Sequence, residues 1–94
     1  MNDIINETIN KIKNRKPTDF DYDIETAFDK IALQIIMYMV TNNLNTIEMA
    51  KKCGVTPTTL SNIIKLNHYP NLYSLIKIFQ AMGFELVPIQ RSIK

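Results

Sequence analysis

Apolar residues recur at helical spacing through most of this chain. Ile4, Ile5, Ile9 and Ile12 mark a short amphipathic helix over residues 4–13. It closes on Lys13-Asn14-Arg15-Lys16 and Pro17, and the residue before a proline is pushed out of helical angles. From Ile24 to about Asn42 the pattern is stronger, with Ile24, Ala27, Phe28, Ile31, Ile35 and Tyr38 in one stripe at i, i+3, i+4 spacing. Leu33, Ile36, Met37 and Val40 form a second stripe, on the side that a lone surface helix would leave polar. A helix apolar on two sides needs two surfaces to cover it. One is the rest of the domain; the other is the N-terminal helix or a second copy of the chain.

Residues 17–23 read as an acidic connector dotted with Phe20 and Tyr22, in which Asp21 or Asp23 caps the long helix. Asn45-x-x-Glu48 is a capping-box variant opening a short helix, Thr46 to Cys53, that stops at Gly54, where a left-handed angle is cheap. Thr56 caps the next helix and Pro57 takes its first position, where proline is best tolerated. That helix runs to about Leu66. After the turn Asn67-His68-Tyr69-Pro70, Asn71 caps a helix over Leu72–Met82 with Leu72, Leu75, Ile76 and Phe79 inward. Phe84 to Val87 resembles a short strand, which Pro88 confines to an edge. The expected division is 1–22, an amphipathic helix with its acidic connector, and 23–94, a helical domain with a trailing strand.

Composition narrows the class. Ninety-four residues make one domain, and a chain of this mass buries about 65% of its unfolded surface, enough for one core. A hydrophobic share of 46% with 21% charged is ordinary globular material, and two glycines with no tryptophan leave little for a turn-rich β fold. Cys53 is the single cysteine and has no internal partner, which fits a reducing cytoplasm. No signal-peptide pattern opens the chain. The longest apolar stretch, Ile31 to Val40, is far short of the ~20 residues a bilayer needs, so the expectation is a cytoplasmic protein. The net charge of +2 is unevenly spread: residues 1–29 hold seven acids against four bases, and residues 30–94 seven bases against two acids. A positive domain behind an acidic leader fits an anionic partner, and equally a plain solvated surface.

The chemistry-bearing pattern lies in the middle. Helices at Thr46–Cys53 and Pro57–Leu66 flank a tight Gly54-Val55-Thr56 turn, the layout of a helix-turn-helix whose second helix enters the major groove. Met49, Cys53, Val55, Leu60 and Ile63 should face the core where the helices cross. Ala50 is small because the second helix passes close over it, and Gly54 makes the reversal. His68, the lone histidine, lies fifteen residues from Cys53 with no ligand cluster around either, so no metal is expected. No Ser/His/Asp set, glycine-rich phosphate loop or supported acidic pair is present, so neither catalysis nor a cofactor is expected. Lys13 to Lys16 reads as a minor-groove arm or as the solvated end of a helix. Tyr69 and Tyr73 either reach phosphates or fill the rim of the core.

Leu44 to Thr56 (LNTIEMAKKCGVT), Leu60-Ser61-x-Ile63 and the block Pro70-Asn71-Leu72 … Leu75 … Ala81-Met82-Gly83 resemble the Cro/C1-type, Xre or lambda-repressor-like helix-turn-helix family. The likeness covers about residues 31–86. It implies an all-α bundle of about five helices, homodimeric binding of double-stranded DNA at palindromic operators, and repression, often of the protein's own gene. By position, Thr46 would donate to a phosphate, while Thr56, Pro57, Thr58, Ser61 and Asn62 line the groove-facing side of the recognition helix. Asn62 is the best base reader, because its amide pairs bidentately with adenine. Lys65 and Asn67, with His68 beside them, would hold the flanking backbone. Three positions depart from the family. Pro57 stands where glutamine or another side chain able to bond bases is usual, Thr46 where glutamine is usual, and Ile64 where an acidic or polar residue is common. They point to modest affinity or to readout of DNA shape.

Two functions stay open. One is a sequence-specific regulator, a repressor in the first instance, acting as a homodimer. The other is an antitoxin or similar interaction module that binds a toxin or another protein through the helix Ile4–Ile12, with DNA binding secondary or lost.

Overall fold

The first helix, α1 (Asn2–Lys13), takes up the amphipathic stretch at the start of the chain, and α2 (Asp19–Thr41) the long apolar one. They are followed by α3 (Thr46–Cys53), α4 (Pro57–Ile64) and α5 (Leu72–Ala81). In this computed structural model the backbone is described for residues 2–14, 19–88 and 90, and the side chains for the same positions other than 19–23. The described residues form a compact all-helical bundle with no strand.

Helix α2 starts at Asp19, five residues ahead of the expected start, and runs on through positions 22 and 23. The acids that read as a connector fall in its first turns, positions at which acidic residues favour a helix. Asp21 and Asp23 therefore stand inside the helix and not at its cap. The side chains of Phe20 and Tyr22, and Arg15 and Lys16 of the basic run, lie outside the described residues.

The three later helices begin at the caps the sequence carries. Asn45 accepts from the Glu48 amide at 2.8 Å, and Glu48 accepts from the Asn45 amide at 2.9 Å, so the capping box is closed. Thr56 accepts from the Thr59 amide at 3.0 Å and Asn71 from the Ser74 amide at 2.7 Å. Gly54 ends α3 at φ +75°, and its carbonyl accepts from the Lys77 ammonium at 2.6 Å, tying α5 to the α3–α4 turn. A Cβ at Gly54 would stand 3.3 Å from Cε of Lys77 in a backbone region costly for L side chains. Gly54→Ala should lower stability by about 1–2 kcal/mol, read as a lower urea midpoint at unchanged slope.

The core sits where α2, α3, α4 and α5 meet. Ile35 and Met39 of α2, Met49 and Ala50 of α3, Leu60 and Ile64 of α4 and Ile78 of α5 are fully enclosed. Cys53 and Ile63 are buried with them, and Val55 packs against their edge. Two faces are rotated from expectation. On α2 the buried line is Phe28, Ala32, Ile35, Ile36 and Met39, the line that meets α4, while Ile24 is exposed. On α5 the inward line is Leu75, Ile78, Phe79 and Met82 at i, i+3, i+4, i+7, and Leu72, expected inward, projects beyond the core from the first helical position. The second stripe of α2 divides. Ile36 is buried, but Leu33, Met37 and Val40 face solvent.

Residues 84–88 carry no regular secondary structure, so no strand forms at Phe84–Val87 among the described residues. A strand needs a neighbour to complete its hydrogen-bond ladder, and the helical bundle offers none. Phe84 instead folds back: its amide donates to the Phe79 carbonyl at 2.8 Å and its ring meets that of Phe79 edge-on.

Candidate functional site

The N-terminal ends of α3 and α4 open onto one shallow depression lined by Thr46, Pro57, Thr58, Ser61 and Asn62, together with Ile4 of α1. Five of the eight residues expected to meet DNA are thus neighbours. Thr46 follows the Asn45 cap directly, and Pro57 and Thr58 follow the Thr56 cap. The Asn45 and Thr56 caps meet first-turn amides of the two helices, and the Glu48 carboxylate closes the α3 start. Pro57 and Thr58 are exposed, and Ser61 and Asn62 half-buried. Thr56 lies beside the group, but its hydroxyl is committed to capping, accepting from the Thr59 amide and donating to the Thr59 hydroxyl at 2.8 Å. Lys65 and Asn67 stand apart, at the far end of α4.

That far end holds what the sequence did not reveal. Helix α1 supplies the donors for the last carbonyls of α4. The Thr8 hydroxyl, fully buried, donates to the Ile64 carbonyl, and the Lys11 ammonium donates to the Lys65 carbonyl. Lys11 also donates to Oδ1 of Asn67 at 2.7 Å and lies 3.7 Å from Glu7. Carbonyls at a helix C-terminus lack intrahelical partners, and those before them are met locally, Ile63 by the Leu66 amide and Asn62 by the amides of Asn67 and His68. Leu66 closes the helix at φ +61°, a left-handed angle unusual for leucine. One signal for α1 was available: Thr8 is a polar residue on the apolar face drawn by Ile4, Ile5 and Ile12. A hydroxyl there must find a buried acceptor.

The remaining candidates are simpler. His68 is exposed, and its amide contacts the Asn62 carbonyl at 3.4 Å. Tyr69 leans on Phe28 with ring centroids 4.9 Å apart, and Tyr73 lies under the Lys77 ammonium, 4.9 Å from its ring centre. Among the described residues no group of three or more His, Cys, Asp or Glu is placed to hold a metal. Burial pushes the Cys53 thiol above its ordinary value, with Lys52 pulling weakly the other way. The unfolded chain therefore gives up this proton first as pH rises. The resulting stability is complete below about pH 8.5 and is lost progressively above it. Between about pH 8 and about pH 10 the urea midpoint should fall more steeply in the wild type than in Cys53→Ala.

No known protein family, curated protein or solved structure matches this chain. Among the described residues no helix is long and apolar enough to cross a membrane.

Proposed function

We propose that this chain is a sequence-specific DNA-binding regulator of the cytoplasm, working by binding and not by catalysis. In this reading α3 and α4 form a helix-turn-helix, α4 enters the major groove, and a homodimer meets a palindromic operator with its recognition helices about 34 Å apart. The observation that carries the reading is the shared depression, which gathers Thr46, Pro57, Thr58, Ser61 and Asn62 where two helix starts converge. Thr46 and the α3 start would position a phosphate. Thr58, Ser61 and Asn62 would read base edges, and Lys65 would hold the flanking backbone. Two surfaces suit a two-fold axis: the exposed line Leu33, Met37 and Val40, and the exposed segment 85–88, which a second copy would complete as a strand pair.

The rival reading gives α1 to a toxin or another protein partner. Against it, part of the apolar side of α1 faces its own bundle: Ile4 and Ile5 pack against the core and Thr8 is buried. Asn2, Asp3, Asn6, Glu7, Asn10 and Lys13, which remain outside, are polar.

The test is selection from randomised duplex DNA at stated low salt, with sequencing of the retained fraction. Enrichment of a palindrome supports the regulator. A folded, dimeric protein that enriches nothing at low salt, where phosphate contacts are strongest, sinks it.

A further inference from the structure

We propose that α1 is an intramolecular latch on α4, and that duplex DNA and α1 compete for the same face. The inference rests on the DNA-binding reading and adds its regulation. Three points relate the two helices: Ile4 lines the same depression as Thr58 and Ser61, Thr8 donates to the Ile64 carbonyl, and Lys11 donates to the Lys65 carbonyl and to Asn67. Helix α1 is thus bonded at the C-terminal end of α4, and its first turn borders the depression at the start of α4. A helix with its side chains is about 10–12 Å across and by itself fills a major groove of about 12 Å. With α1 docked, Ile4 stands at the depression and Lys11 at Asn67, two places that an approaching duplex would have to occupy.

Three further features fit a latch. Ile4 sits in the depression that holds the proposed base readers. Lys11 occupies Asn67, a proposed backbone contact, and brings the Glu7 carboxylate to the same end of α4, a charge that repels phosphate. The hold is also slight enough to release. A helix of twelve residues is marginal alone, and Thr8 is its only fully buried residue among those described, with Ile4, Ile5, Ile9 and Ile12 half-buried. When α1 lifts, water can take over the last two carbonyls of α4, and the Lys11 ammonium becomes free to meet a phosphate.

Binding that requires an open minor state is weakened by the fraction open. Thr8→Val in the full chain keeps the branch and the volume but removes the donor, leaving the Ile64 carbonyl unpaired while α1 is docked. Hydrogen exchange of the α1 amides should speed up by about tenfold, and affinity for duplex DNA should rise by the same factor, since both report one opening equilibrium. Thr8→Ser, which retains the hydroxyl, should restore both. Lys11→Met is the second variant; losing a cation by itself weakens DNA binding, so a gain runs against charge. The probe is the palindrome that wild type enriches or, failing enrichment, a random-sequence duplex at low salt. If α1 opens and affinity stays level or falls, the latch is overturned while selective binding by wild type keeps the DNA reading. Unchanged α1 exchange in both variants overturns the latch as well. If no form binds duplex, the DNA reading fails and the latch with it.

Discussion

Leu60→Ala should lower the free energy of unfolding by about 2–5 kcal/mol, a larger loss than at Gly54 or at any exposed position of the same helix. Leu60 has no exposed surface, and its helix is packed against both α3 and α2. The deleted methyl and methylene groups forfeit burial, and neighbours held on three helices can only partly close the cavity. Small domains are stable by about 5–15 kcal/mol, so the variant gives up a share of its margin between about an eighth and the whole. Urea titration against Thr58→Ala provides the contrast. Thr58 is exposed on the same helix two residues earlier, and its truncation should stay within about 0.5 kcal/mol. Comparable losses at the two positions would mean that α4 is not packed as described.

That contrast also shows what the sequence could carry and what it could not. The start of α4 was legible because its determinants are local: Thr56 meets the Thr59 amide three residues on, and Pro57 fits the first turn on its own geometry. The same holds for Asn45 with Glu48 and for the reversal at Gly54. The facing of α5 was less legible, because Leu72 and Ile78 are equally apolar and only the position of the bundle decides which of them turns inward. Phe84 to Val87 resembles a strand in its residue types, yet a strand is a property of two segments. The site divides in the same way. The neighbours on α3 and α4 follow from the turn between them, whereas Thr8 and Lys11 reach α4 across more than fifty residues of chain. No local pattern records such a contact. Only the misplaced polarity of Thr8 hinted at it.

Asn62→Ala should erase discrimination at one base pair in each half-site. A bidentate amide–adenine pair is worth about 1–3 kcal/mol against the wrong base, roughly ten- to hundredfold per half-site. The measurement is affinity for the enriched palindrome and for the same duplex with that pair exchanged. Wild type should separate the two, and the variant should bind both at the weaker level. Folding should be little affected, because the local contacts Asn62 makes to Asn67 and His68 use its main-chain carbonyl, which alanine keeps. Lys65→Met makes the complementary case: without its ammonium on a phosphate, all duplexes should bind more weakly by the same factor and the salt slope should fall by about one. The latch adds a further constraint. Opening α1 scales affinity for every duplex by one factor, so Thr8→Val should raise both affinities and leave their ratio untouched. A ratio that shifts with Thr8 would mean α1 itself touches the bases, and an Asn62→Ala loss equal for all sequences would take Asn62 out of the groove.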